Sequence, residues 1–139
     1  MNILLAVDDS DFTQKNMEYV GNLAKKLDAE VTLLHAVVFP STTAPEIITT
    51  DFTSLEKGGE KLLQQCKKVM EAKGLKVSTV LKSGLGRPAG MIVEEIKKGN
   101  VDLVALGARG KSRLMNLVMG SVADAVARNA PCSVLIIRQ

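Results

Sequence analysis

The sequence is poor in aromatic side chains and contains no block of charge of one sign. Aromatic residues make up 3% of the 139 positions, tryptophan is missing, and 18 basic residues are mixed with 15 acidic ones to a formal net charge of +3. Proteins that bind nucleic acid need a basic surface for the phosphates and, for single strands, aromatic rings on which bases stack. The composition therefore predicts no nucleic-acid partner.

Long hydrophobic runs and closely spaced cysteines are also missing. No apolar run approaches the roughly 20 residues that a membrane-spanning helix requires, and the chain begins directly with MNILLAV. We therefore expect no membrane attachment, no signal peptide and a location in the reducing cytoplasm. Cys66 and Cys132 do not have the spacing of a metal or redox site, and we interpret them as small buried hydrophobic residues.

The chain does contain a regular alternation of two hydrophobic patterns. Five short runs rich in Val, Ile and Leu are typical of strands, and between them residues recur at the spacing of helices. The predicted helical faces are Met17, Val20, Ala24 and Leu27; Leu62, Cys66, Val69 and Met70; Ala89, Ile92, Val93 and Ile96; and Val122, Ala125, Val126 and Asn129. This alternation predicts an α/β fold with a doubly wound five-stranded parallel sheet, strand order 3-2-1-4-5, and helices on both faces. Residues 1–139 are predicted to form one domain. The predicted strands are Asn2 to Val7, Glu30 to Val38, Lys76 to Lys82, Val101 to Gly107 and Ser133 to Arg138.

Proline and glycine mark the connections between these elements. Pro88 fits the first turn of the third helix, and Pro131 stops the fourth. The segment from Pro40 to Thr53 (PSTTAPEIITTDFT) is rich in Thr, Ser and Pro, so we interpret it as a long connection after strand two. Gly58 and Gly59 weaken the start of the helix that follows.

A ligand is expected at one edge of this sheet. In open parallel sheets, ligands bind beyond the carboxyl ends of the strands, where the winding direction reverses, and for this order that point lies between strands one and four. The ends of these two strands carry the most unusual local sequences, Ala6-Val7-Asp8-Asp9-Ser10 and Gly107-Ala108-Arg109-Gly110. Topology and sequence therefore predict the same crevice.

The second of these segments leads to the last helix through Gly120 and Ser121. Glycines at 107, 110 and 120 allow backbone conformations closed to other residues and let main-chain N–H groups approach an anion. With Ser121 as N-cap, a helix beginning at Val122 directs its first N–H groups and its positive dipole end toward the same space, which suits a polyphosphate. Alternatively, the glycines only shape a turn and the basic residues form a solvated rim. The nearby charged or hydroxyl-bearing residues are Arg109, Lys111, Ser112 and Arg113.

With this glycine spacing, the sequence resembles the universal stress protein family. The family's nucleotide-binding pattern is a glycine, two residues, a glycine, nine residues, a glycine and then Ser or Thr, and Gly107, Gly110, Gly120 and Ser121 match it. The resemblance covers nearly the whole chain and implies the ATP-binding branch of the family. Further similar segments are ILLAVDDS in the first strand and turn, LLHAV in the second strand, GRPAGMIVEEI in the third helix and GSVADAVARNAPCSVLIIR at the end.

The resemblance also implies roles for matching residues. Asp8 corresponds to an aspartate that contacts adenine, and Ala36 to a small residue that packs on the ring. Gly107 and Gly110 are expected to follow the ribose and α-phosphate, and a divalent ion, Mg²⁺ or Mn²⁺, is expected to be held through the phosphates. The residues expected to hold the β- and γ-phosphates are Gly120, Ser121 and Val122. The full predicted nucleotide-binding set is Ala6, Val7, Asp8, Ala36, Leu106, Gly107, Arg109, Gly110, Lys111, Ser112, Gly120, Ser121 and Val122.

An enzyme is one alternative, but we assign no catalytic residue. A phosphotransferase or ATPase needs a group that orients the attacking nucleophile, and although Asp9 or Asp11 could do this, there is no GxxxxGK[ST] loop to supply a P-loop lysine. We interpret His35, inside strand two, as a packed core residue. The expected function is an adenine-nucleotide-binding sensor or regulator of the stress response, with slow ATP hydrolysis at most.

Two further alternatives concern signalling and association. A phospho-acceptor receiver domain shares the fold and has paired acids after strand one, but it needs an Asp after strand three and a Lys after strand five, where this chain has Ser83 and Gln139. The final strand, SVLIIRQ, would leave unpaired backbone groups at a sheet edge, and the family pairs it across a two-fold axis, so we predict a homodimer. Nucleotide state is then expected to set the shape of the Pro40 to Thr53 connection and thereby the choice of protein partner.

Overall fold

Residues 1–40, 51–110 and 119–138 are described by the structure, a computed structural model. Residues 41–50, which are most of the predicted connection after strand two, lie outside the described residues. The strands are β1 (Asn2–Ala6), β2 (Glu30–Val38), β3 (Val77–Gly84), β4 (Leu103–Gly107) and β5 (Ser133–Ile137). The helices are α1 (Thr13–Leu27), α2 (Asp51–Glu71), α3 (Pro88–Lys98) and α4 (Ser121–Asn129).

The described strands form one sheet with the order β3-β2-β1-β4-β5, in which every neighbouring pair is parallel. This confirms the predicted fold class and strand order. β1 is the central strand, with Leu5 paired to Leu33 on one side and to Ala105 on the other. Strand and helix alternate along the chain, as the hydrophobic patterns predicted.

The side chains of β1 show why the sheet needs a helical layer on each face. Ile3 and Leu5 pack in the core cluster that includes residues of α1 and α2, whereas Leu4 packs in the cluster that includes residues of α3 and α4. None of these three residues is more than 1% exposed. Because successive strand residues point to opposite faces, both faces of β1 bury apolar side chains and both must be covered.

The predicted helical faces are mostly the buried ones. In α3 all four predicted positions, Ala89, Ile92, Val93 and Ile96, are buried, and Pro88 occupies the first turn as expected. At the ends of three faces the prediction is wrong, since Leu27 of α1 and Val69 of α2 are each 44% exposed and Asn129 of α4 is also exposed.

Helix α2 begins earlier than predicted and includes two glycines. Asp51 to Thr53 belong to this helix and not to the connection, and Gly58 and Gly59 lie inside it. A Cβ on Gly59 would lie 2.7 Å from Leu81 Cδ1 and 3.1 Å from His35 Cδ2. Gly59 therefore lets α2 approach β2 and β3 closely, so this glycine marks a contact with the sheet and not a weak helix start.

The two cysteines are free thiols in the structure. Cys66 is buried, which confirms its interpretation as a small core residue, and Cys132 is half-buried. Burial raises the pKa of both thiols, so the unreactive protonated form is favoured at neutral pH. Among the helices of the described segments, none combines the length and hydropathy needed to cross a bilayer.

Candidate functional site

The predicted crevice lies where the carboxyl ends of β1 and β4 meet at one edge of the sheet. β1 is followed by α1 on one face of the sheet, and β4 precedes α4 on the other. Because the chain leaves these neighbouring strands toward opposite faces, the winding direction reverses between them. The structure therefore brings the segment starting at Val7 and the segment starting at Ala108 to the same switch point.

Asp8 borders this crevice in a turn that orients its carboxylate. The Ser10 backbone N–H donates to Asp8 Oδ1 at 3.0 Å, and the Thr13 hydroxyl lies 3.0 Å from the same oxygen and 2.7 Å from the Asp8 carbonyl oxygen. Thr13 is the first residue of α1 and is 7% exposed. The second carboxylate oxygen, Oδ2, is directed at Gly110, where an added Cβ would lie only 2.9 Å away. The end of β1 and the loop after β4 are thus in direct contact.

The site glycines are needed for close approach and not for unusual backbone angles. Among the described glycines, positive φ angles occur at Gly74, Gly84 and Gly86, and none of these was predicted for the site. At Gly120 a Cβ would lie 3.2 Å from the Ala108 carbonyl oxygen, to which the Gly120 N–H donates at 2.6 Å. The expectation of unusual conformations is therefore wrong, although the glycines do mark places where the backbone comes close to its neighbours.

Helix α4 starts one residue earlier than predicted. Gly120, with φ −70° and ψ 164°, is the N-cap, and Ser121 is the first helical residue. No side chain within the described segments caps the helix, so the assignment of Ser121 as N-cap is wrong. The extended backbone at Gly120 provides the turn into the helix, and its carbonyl accepts from the Asp124 N–H at 3.0 Å. The N-terminus of α4 consequently lies beside the backbone of Ala108 at the end of β4.

Small apolar side chains lie on the α3 and α4 side of the crevice. The predicted site residues in or against this core cluster are Ala6, Ala36, Leu106 and Val122. Ala6, at the end of β1, and Ala36, two residues before the end of β2, are half-buried, while Leu106 is almost fully buried. Val7 differs, because its side chain packs in the opposite cluster with α1 and α2. Val7 could therefore offer a ligand only its backbone.

Of the charged and hydroxyl-bearing residues predicted for the loop after β4, only some lie among the described residues. Arg109 is exposed directly after β4, beside Gly110. Lys111 and Ser112, together with Arg113, lie outside the described residues, so their assignment to the site stays a prediction.

Asn16 is a site neighbour that the sequence analysis missed. It lies in α1 and is only 5% exposed. A Cβ on Gly107 would lie 2.6 Å from Asn16 Nδ2, so the side-chain amide occupies the space that Gly107 leaves open. The available signal was a polar residue one position before Met17 on the buried face of α1. Gly107, the first glycine of the pattern, therefore leaves room for a buried amide from α1, which lies on the face of the sheet opposite to α4.

We expect Gly107→Ala to lower the free energy of unfolding by about 1 to 3 kcal/mol, because overpacking a close contact has that cost. The added methyl would meet Asn16 Nδ2 at 2.6 Å and the Arg109 carbonyl oxygen at 3.1 Å. The double variant with Asn16→Ala should lose less free energy of unfolding than the sum of the losses in the two single variants. In the double variant the added methyl meets only the backbone contact. Urea unfolding of the four proteins measures this coupling. Strict additivity would contradict the proposed fit between the amide and the glycine.

The fold defines a doubly wound α/β protein whose switch point lies between β1 and β4. The sequence profile of the universal stress protein family matches residues 1–138. Universal stress protein MJ0531 of Methanocaldococcus jannaschii is 34% identical over 140 residues, which cover 99% of this chain and 81% of that protein. The chain therefore belongs to the universal stress protein family, and not to the receiver class weighed above.

Solved structures show the same architecture. The universal stress protein UspA from Lactobacillus plantarum has a TM-score of 0.87 and 26% identity, with 99% of this chain and 97% of that chain covered. The universal stress protein from Archaeoglobus fulgidus in complex with dAMP has a TM-score of 0.73 and 21% identity, with 99% and 97% covered. At 21% identity, the comparison with the Archaeoglobus fulgidus protein establishes a shared fold alone.

Proposed function

We propose that this protein binds ATP or a related adenine nucleotide at the crevice between β1 and β4, as a homodimeric sensor or regulator of the stress response. The observation that carries the proposal is the contact between Asp8 Oδ2 and the backbone at Gly110, where a Cβ would lie 2.9 Å from the carboxylate. A carboxylate that accepts hydrogen bonds suits the base or the ribose. A glycine backbone without side chains suits the phosphates.

The apolar side of the crevice suits the base. Ala6 and Ala36 lie in neighbouring strands near their carboxyl ends, both are half-buried, and alanine has the smallest side chain that still has a Cβ. A flat ring placed on them would bury apolar surface without displacing a larger side chain. Asp8, at the end of the same strand as Ala6, would then accept a hydrogen bond from the base or the ribose.

The other side of the crevice suits the phosphates. The first N–H groups of any helix have no partner within the helix, and the positive end of the helix dipole lies at the same end. Gly120 places this end of α4 beside the backbone at the end of β4. Gly107 and Gly110 are assigned to the ribose and α-phosphate, and Ser121 and the N–H of Val122 to the outer phosphates. Arg109, Lys111 and Ser112 would add charge and donors at the rim, and Mg²⁺ or Mn²⁺ would be held through phosphate oxygens.

A relative with this fold supports the choice of an adenine nucleotide, since the Archaeoglobus fulgidus protein is in complex with dAMP. The number of phosphates that this chain prefers is the finer part of the proposal. The helix N-terminus favours a ligand with more negative charge, so ATP is expected to bind more tightly than AMP.

Calorimetric titration of the wild-type protein with ATP, ADP, AMP and GTP in the presence of Mg²⁺ tests the proposal. We expect ATP to bind with a dissociation constant on the order of micromolar and AMP and GTP to bind more weakly. Equal binding of ATP and GTP would contradict the choice of adenine as the base. No binding of any nucleotide would overturn the proposed ligand and leave association through β5 as the function to pursue.

The homodimer is the second part of the proposal, and β5 supports it. This strand is at the edge of the sheet, and its central residues, Val134, Leu135 and Ile136, are half-buried. An apolar edge strand with open backbone groups is a template for pairing with another strand. A second copy of the chain across a two-fold axis would satisfy both strands in the same way.

A further inference from the structure

The end of the pairing between β1 and β2 is closed by a side chain. The two strands are in register from Asn2 with Glu30 to Ala6 with Leu34, and the Val7 N–H then donates to the Leu34 carbonyl oxygen at 2.8 Å. Continuation of this parallel ladder would bring the Ala36 N–H to the Val7 carbonyl. The strand pairing stops before that point, and His35 Nδ1 lies 2.8 Å from the Val7 carbonyl oxygen.

The chemistry of this contact defines the tautomer of the imidazole. A carbonyl oxygen can only accept a hydrogen bond, so His35 Nδ1 must carry the proton and donate it. Val7 is consequently held through both of its backbone groups, by β2 through the N–H and by His35 through the carbonyl. The next residue is Asp8, whose carboxylate borders the crevice.

The imidazole is itself confined by α2. A Cβ on Gly59 would lie 3.1 Å from His35 Cδ2 and 3.0 Å from Val37 Cγ2, so the helix approaches the ring where it has no side chain. His35 belongs to β2 and is half-buried. A ring packed between a helix and a strand end presents its Nδ1–H to Val7 in a defined direction.

We infer that His35 is a positioning residue for the base half of the crevice, acting through the Val7 carbonyl on the backbone that carries Asp8. The inference rests on the proposed adenine-nucleotide site and assigns His35 no contact with the ligand. Because β1 and β2 stop pairing at this point, the hydrogen bond from the imidazole to the Val7 carbonyl sets the distance between the Asp8 turn and Ala36 in place of a backbone hydrogen bond. The N-terminus of α4 is held separately, by the hydrogen bond from the Gly120 N–H to the Ala108 carbonyl oxygen.

The test compares His35→Asn with His35→Leu. The Asn Nδ2 is attached to Cγ, as Nδ1 is in histidine, so asparagine can still donate to the Val7 carbonyl, whereas leucine keeps an apolar side chain without a donor. We expect His35→Leu to weaken AMP and ATP about tenfold, the equivalent of about 1.4 kcal/mol, and His35→Asn to recover most of this loss. Inorganic triphosphate uses only the phosphate half of the crevice. Its dissociation constant should therefore be the same for the wild type, His35→Asn and His35→Leu.

The outcomes separate this inference from the proposed function. Wild-type binding together with unchanged affinity in His35→Leu would overturn the inference alone, as would equal losses for AMP and inorganic triphosphate. No wild-type binding would overturn the proposed function first. If His35→Leu does not fold, Gly59→Ala displaces the ring while retaining histidine. Gly58→Ala is its control, because a Cβ on Gly58 meets nothing within 4 Å in the part of the chain that the structure describes. Nitrogen-15 NMR of the wild-type imidazole must show a protonated Nδ1, and an Nε2–H tautomer would contradict the inference.

Discussion

Alanine at both Gly110 and Gly120 is expected to reduce ATP affinity by at least about a hundredfold, or about 2.7 kcal/mol. At Gly110 the new Cβ would lie 2.9 Å from Asp8 Oδ2, and at Gly120 it would lie 3.2 Å from the Ala108 carbonyl oxygen. The first change displaces the carboxylate proposed for the base or ribose. The second pushes the N-terminus of α4 away from the end of β4.

The matched control is Gly58→Ala together with Gly90→Ala. These glycines lie inside α2 and α3, and a Cβ at either position meets no atom of the described residues within 4 Å. Alanine is favoured over glycine inside a helix by roughly 0.5–1 kcal/mol, so this protein should be more stable and should bind ATP normally. Calorimetry on both double variants, with circular dichroism to verify folding, makes the comparison. A folded Gly110, Gly120 variant with wild-type affinity would show that these glycines do not form a phosphate cradle.

Proline at Ile136 is expected to convert the proposed homodimer into monomers. The Ala108 N–H donates to the Ile137 carbonyl, so the backbone groups of Ile137 face β4. Backbone groups along a strand alternate in direction, and those of Val134 and Ile136 therefore face the open edge. Proline at 136 removes an outward N–H, and its ring would obstruct a second strand, without removing a bond of the β4–β5 ladder.

Ile136→Ala is the control for this variant, since it also removes the isoleucine side chain but keeps the N–H. Analytical ultracentrifugation should give twice the 14.9 kDa chain mass for the wild type and for Ile136→Ala, and a single chain mass for Ile136→Pro. A wild-type monomer would overturn the proposed homodimer. A dimeric Ile136→Pro protein would place the interface on a different surface.

The fold could be predicted from the sequence because its signals are local and repeat along the chain. Most strands are apolar runs and each helix has an apolar face, so the alternation already implies parallel strands with helical crossovers. Pro88 and Pro131 added the limits of two helices. The location of the crevice followed from the strand order together with the residues at the ends of β1 and β4.

The beginning of α2 was not predictable in this way. Gly58 and Gly59 disfavour a helix by their intrinsic propensity, and Asp51 to Thr53 belong to a segment rich in Thr and Pro. The helix nevertheless includes all of them. Packing overrides propensity here, because Gly59 allows a close approach to Leu81 and His35 that a larger side chain would prevent.

The sequence by itself determined the class of fold, the order of elements and the glycine pattern, since these depend on residue type and spacing along the chain. Only the tertiary structure decided what each glycine contacts. Asn16 and Gly107 are 91 positions apart along the chain, and His35 of β2 contacts the carbonyl of Val7 at the end of the neighbouring strand β1. Such contacts depend on the distance between packed layers and on side-chain direction, and neither is encoded in the periodicity of a single segment.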